Sequence, residues 1–177
     1  QAYEDGSNEL AREKMHNAAT IAGMAFANAF LGMCHSMAHK VGGYYHIPHG
    51  RIIGILLPYV IRYNGQVPQK LATRPKYNVY DADKRYTKLA RLIGLNPKND
   101  KEGVEMFAKA CYDLSVKIGV KPSFKEQGVD EADFMKNVEE IAYSAFEDQC
   151  TPANPRIPLV EDMISILKDA YYGNFNK

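Results

Sequence analysis

No run of apolar residues in this sequence is long enough to cross a bilayer. The longest, Ile52 to Ile61, has Arg51 and Arg62 at its ends and reads as a buried helix. No membrane partner is expected. Cysteine is scarce: Cys34, Cys111 and Cys150 are odd in number, far apart and without CxxC spacing, and no secretory leader or Asn-X-Ser/Thr sequon accompanies them. A reducing, cytoplasmic setting fits this usage. An excess of one charge is missing as well, since 22 Lys and Arg against 21 Asp and Glu leave +1, spread without a basic face. Nucleic acid is thereby excluded as an expected partner. There is no GxGxxG, no GxxxxGK[ST] and no GxSxG, hence no dinucleotide fingerprint, phosphate loop or nucleophile elbow. No Asp or Glu lies between residues 14 and 80, so a carboxylate serving that region must come from a distant helix or from outside the chain.

What is present is apolar and helical. At 46% apolar content, 177 residues can bury a substantial core, and residues 1–177 read as one domain. No stretch alternates apolar and polar residues as a strand would, which makes the fold class all-α, with seven or eight helices. The first should run from about Asn8 to Phe30, exposed at its charged start and buried over its Ala- and Gly-rich second half. A short helix should follow from about Met33 to Lys40, ended by Gly42 and Gly43. HGRIIGILLPYVIRYN, opening beside Pro48, is apolar on all sides and should be the central pillar, with Pro58 as a candidate kink. Residues from Gly65 to about Ala82 read as a long surface excursion. Beyond them come Asp83–Ile93, a helix capped by Asn99 and running to about Ile118, a short one capped by Ser123 and ended by Gly128, one capped by Asp130, and a last one over Leu159–Tyr172. The sequence opens at Gln1 rather than Met and reads at once as helix, so a longer polypeptide is expected around it.

Four of the five histidines, His35, His39, His46 and His49, fall within the fifteen residues 35–49. His35 and His39 are four apart and share a helix face; His49 begins the next element. Imidazole is the commonest ligand for divalent transition metals, so the pair plus a third histidine makes a plausible half-cage. The alternative is local hydrogen bonding or exposure to water, and spacing alone assigns neither the metal nor the role of each ring. Cys150, in DQCTPANPR, reads either as a reactive thiol or as inert packing. Asn154-Pro155-Arg156 could brace a loop or be a turn with an exposed arginine, and Lys40 could steer an anion or be solvated.

Gly32, His35, His39, Pro48, His49 and Gly50 together resemble the pattern of the iron-dependent (group III) alcohol dehydrogenase family, whose C-terminal domain is helical and metal-binding (dehydroquinate synthase-like). The resemblance extends through FANAFLG, ILLPYVIRYN and DQCTPANPR, and is most marked for the alcohol dehydrogenase half of bifunctional aldehyde-alcohol dehydrogenases. It implies Fe²⁺, with Zn²⁺ as the alternative, held by His35, His49 and an Asp and a His four apart that this sequence does not contain. It further implies that His39 faces the nicotinamide and alcohol and relays a proton, and that Phe26, His39 and Cys150 fall at cofactor-binding positions. His46 is left outside the ligand set. NAD would bind a Gly-rich nucleotide-binding domain absent from this chain.

The implied reaction interconverts acetaldehyde and ethanol, a fermentative step, in a full-length protein expected to be a homo-oligomer. The chain alone is expected to be inactive, for want of two ligands and the nucleotide domain. Two other readings stand beside this one: a structural module for oligomerisation of the bifunctional enzyme, and a zinc-dependent polyol dehydrogenase of the same superfamily.

Overall fold

The computed structural model describes residues 1–68 and 80–176, and most of the expected surface excursion after Gly65 lies outside these residues. The chain divides into two compact units, Gln1–Leu31 and Gly32–Lys177. Among the described residues there are seven α-helices, two short 3₁₀ turns and no strand, so the all-α expectation holds. No single helix among them is long and apolar enough to cross a membrane.

The first unit is a turn followed by α1 (Glu9–Ala29), whose N-cap Asn8 accepts from the Ala11 N–H at 3.0 Å. The expected burial of its second half is not observed: Ala11 alone is buried, while Ile21, Met24, Phe26 and Phe30 are about half exposed. This unit contains no second element to cover the apolar face.

The second unit is a helical bundle built around its most apolar segment. Its helices are α2 (Met33–Tyr45), α3 (His49–Asn64), α4 (Ala82–Leu92), α5 (Asp100–Lys117), α6 (Glu131–Phe146) and α7 (Val160–Tyr172). The pillar α3 packs against α2, α5 and α7, α4 pairs with α5, and α6 lies against α2 and α7. Met33, Met37, Ile52, Leu56, Phe134, Ile141, Leu167 and Tyr171 are fully buried at these contacts, with the Phe134 and Tyr171 rings stacked at 4.5 Å. Burying each such side chain is worth about 1.5–3 kcal/mol.

Local side-chain caps account for three of the seven helix starts, those of α1, α5 and α6. Asn99 accepts from the Glu102 N–H and Asp130 from the Asp133 N–H, each at 2.9 Å. Ser123 likewise accepts from the Glu126 N–H at 3.1 Å, yet the expected helix there is only a turn; the cap formed without a helix behind it. Pro58 does not break α3. It lacks the N–H that would bond Gly54 O, and the Ser115 hydroxyl of α5 donates to that carbonyl instead, at 3.4 Å.

The end of α2 differs from expectation. The helix passes through Gly42 and Gly43 to Tyr45 and is closed by His46 in the left-handed region (φ 52°, ψ 28°). Gly42 serves close packing rather than termination, because a Cβ there would stand 3.2 Å from Ile52 Cδ1.

Candidate metal centre

The longer α2 keeps His35 and His39 on one face, and the tight link His46–Pro48 turns the chain so that His49, the first residue of α3, comes back beside them. The ring centroids of His35 and His49 are 5.3 Å apart, those of His39 and His49 5.4 Å, and those of His35 and His39 6.2 Å. A ring nitrogen about 2.1 Å from a divalent ion puts its ring centroid about 3.2 Å away, so two imidazoles sharing one ion at a tetrahedral angle stand roughly 5 Å apart. The His35–His49 spacing fits that requirement. Burial, followed by the neighbouring His49 and His39, lowers the pKa of His35 and keeps it neutral, the form in which imidazole ligates. His39 and His49 are exposed, so the cluster opens to solvent. His46, as the C-cap of α2, has a backbone role.

The loop after α6 is latched to α2 along one stripe of that helix. Asp148 Oδ2 pairs with His39 Nδ1 at 3.3 Å and with Lys40 Nζ at 3.0 Å, while Oδ1 accepts from the Cys150 N–H at 3.0 Å. One turn nearer the start of α2, Thr151 Oγ1 donates to Ala145 O at 2.7 Å and lies 2.8 Å from Ser36 Oγ. At the start itself, Asn154 Oδ1 accepts from the Met33 N–H at 3.2 Å. Asn154 is 1% exposed and also donates to Asn64 Oδ1 of α3 at 2.7 Å and to Arg156 O at 2.6 Å. Arg156 donates to Tyr63 O at 3.0 Å and to Gln66 Oε1 at 2.8 Å, so Asn154-Pro155-Arg156 braces the loop.

Burial alone would raise the pKa of Asp148, but hydrogen bonds from the Cys150 backbone, Lys40 and His39 outweigh it and hold the carboxyl at about 2. Cys150 is buried, and desolvation followed by the adjacent Asp148 raises its thiol pKa, which argues for packing rather than reactivity. Donor atoms of His39, Asp148 and Cys150 lie within 4.8 Å of one another, a spacing that a cation could use. The Lys40 ammonium already sits 3.0 Å from the carboxylate, however, and a protonated thiol is a poor ligand, so a hydrogen-bonded network fits these side chains better. Phe26 stands on α1, in the other unit, and is 48% exposed. Asp148, Thr151 and Asn64 were not singled out by sequence reasoning; for the first two the available signal was the density of polar residues in DQCTPANPR, between two apolar helices.

An all-α bundle that brings three imidazoles together is a helical domain with donors suited to a divalent metal. Residues 1–171 match the Fe-containing alcohol dehydrogenase family, C-terminal, and the chain belongs to that family. It is 63% identical over 162 residues to aldehyde-alcohol dehydrogenase 2 of Entamoeba histolytica, a match covering 92% of this chain and 19% of that protein. It is 47% identical over 176 residues to the bifunctional aldehyde-alcohol dehydrogenase of Escherichia coli K12, covering 97% of this chain and 20% of that protein. The chain thus spans about a fifth of the length of these relatives. Among solved structures, a 1,3-propanediol oxidoreductase superposes with a TM-score of 0.82 at 33% identity, over 97% of this chain and 41% of that one. An alcohol dehydrogenase from Oenococcus oeni superposes with 0.81 at 34% identity, over 96% and 40%.

Proposed function

We propose that this chain is the metal- and substrate-side part of an NAD-linked, iron-containing alcohol dehydrogenase that interconverts acetaldehyde and ethanol. The nucleotide is bound by a domain outside these 177 residues. The observation that carries the reading is the meeting of His35, His39 and His49, with centroids 5.3–6.2 Å apart, in a chain of this family. His35 and His49 hold the metal, for which their spacing and the neutrality of His35 are suited. Once bound, the divalent cation supplies Lewis-acid chemistry at the substrate oxygen and the nicotinamide supplies hydride chemistry. His39 moves the proton: it takes it from the alcohol hydroxyl in oxidation and returns it in reduction. Cys150 contributes apolar lining near the cofactor.

Two imidazole ligands hold a divalent ion weakly, so the chain by itself turns over little or no ethanol. The test is His49→Ala in the full-length protein, with metal content measured beside NAD-dependent ethanol oxidation. Metal and activity are expected to fall together; full metal retention would overturn the assignment. Elemental analysis of the native protein decides between iron and zinc.

A further inference from the structure

Asp148 stands 109 residues from His39 in sequence and yet is its hydrogen-bond partner, and it is itself held from three sides. Oδ2 takes both His39 Nδ1 and the Lys40 ammonium, Oδ1 takes the Cys150 N–H, and the side chain is 8% exposed. A carboxylate held this firmly has little freedom to turn, and lysine beside it keeps it ionised. An ionised carboxylate can only accept hydrogen bonds, so the His39 nitrogen facing it must carry the hydrogen. The other nitrogen, Nε2, is then the basic one.

We infer that Asp148, clamped by Lys40 and the Cys150 backbone, is a positioning residue that fixes the orientation and tautomer of His39 so that Nε2 is the nitrogen that exchanges the substrate proton. Nothing in the reaction requires Asp148 to touch substrate. In the oxidation direction the hydroxyl proton passes to Nε2 and the Nδ1 hydrogen stays in its bond to Asp148, while a bound nicotinamide would supply the hydride acceptor. In the reduction direction Nε2 gives the proton back. Asp148 does not change its own protonation in either direction. The arrangement is the carboxylate–imidazole relationship that orients a general base, here supplied by a loop rather than by the helix carrying the histidine. The low pKa of the carboxyl is consistent with this role. Lys40 is explained at the same time: its ammonium serves the carboxylate rather than a ligand.

The inference rests on the proton-transfer role given to His39 above, and two measurements keep the two apart. The first needs no turnover. With only five histidines in the chain, ¹⁵N-histidine labelling resolves the tautomer of each ring by its nitrogen shifts. His39 is expected as the Nδ1–H form, and Asp148→Asn, whose amide can donate to Nδ1, is expected to shift it toward Nε2–H. A wild-type His39 in the Nε2–H form, or an unchanged tautomer in the variant, would sink the inference whether or not the enzyme reading stands.

The second measurement is kinetic, in the full-length protein. Asp148→Asn is expected to lower kcat about 10- to 100-fold, with KM for the aldehyde and metal content little changed. In a His39→Ala background the same substitution is expected to cost nothing further, because both changes remove one function. An equal loss in that background would show that Asp148 acts elsewhere and would overturn the inference. Absence of ethanol oxidation in the wild-type protein would instead count against the enzyme reading, leaving the tautomer result to decide the role of Asp148.

Discussion

A β-carbon placed on Gly32 would stand 2.6 Å from Asn154 Oδ1, the atom that accepts the first free N–H of α2. The first glycine of the histidine pattern therefore marks a close approach of the chain to the Asn154 side chain, and the start of α2 is set by an amide from the loop after α6. Gly32→Ala must push Asn154 aside or tilt α2. Overpacking of this kind costs about 1–3 kcal/mol. A lower urea midpoint with an unchanged slope is expected, accompanied by weaker metal binding in the full-length protein; a variant of wild-type stability would show that the loop yields freely.

Asn154→Ala tests the same latch by deletion. It leaves the Met33 N–H and both ends of the Asn64 amide without their partner in a buried site. Each orphaned polar group costs about 1–3 kcal/mol. A loss larger than that of Gly32→Ala is expected in thermal or urea unfolding; a variant as stable as Gly32→Ala or more so would show that the amide does not hold the latch.

The Asp148 cluster makes stability depend on acid. Its folded pKa of about 2 is depressed from the ordinary 3.8, so the stabilisation is fully present above about pH 5 and is lost as the pH falls through 3.8 toward 2. The shift corresponds to about 2.5 kcal/mol. Unfolding of the wild type and of Asp148→Asn between pH 5 and pH 2 should show a stability gap that closes over that window. A gap independent of pH would place the stabilisation elsewhere.

In the full-length protein His39→Ala should separate from His49→Ala. His39 is bonded to Asp148 through Nδ1 and is assigned to proton transfer, so its removal is expected to slow turnover with metal retained; His49→Ala removes the metal. Metal analysis beside steady-state kinetics distinguishes them. Loss of metal in both variants would place His39 among the ligands.

How much of this was legible in the sequence follows from the range of each interaction. The helices, the caps at Asn99 and Asp130, and the meeting of His35, His39 and His49 depend on spacings of a few residues, and the residue pattern carries them. The partners of Asp148 and Asn154 on α2 and α3 lie 90 to 121 residues away, so no local pattern could pair them. Two local signals misled for the same reason. Gly42 resembled a helix stop, but tertiary packing against Ile52 required a glycine inside the helix; Ser123 formed its cap, but only a turn follows it. The apolar half of α1 signalled burial that is not observed, because its own unit offers nothing to cover it.

Pro58 supplies the last test, because its defect and its repair lie on different helices. The missing N–H leaves Gly54 O without a helical donor, and Ser115 of α5 provides one. Ser115→Ala should therefore cost about 0.5–1.5 kcal/mol, the net worth of one such bond. Pro58→Ala restores a backbone N–H that can reach Gly54 O, although it also removes a buried ring. In the Pro58→Ala background the Ser115→Ala penalty should shrink toward zero. A double-mutant cycle from urea midpoints measures that coupling directly. If the serine costs the same in both backgrounds, its hydroxyl is not the replacement donor, and the continuity of α3 across Pro58 must come from packing alone.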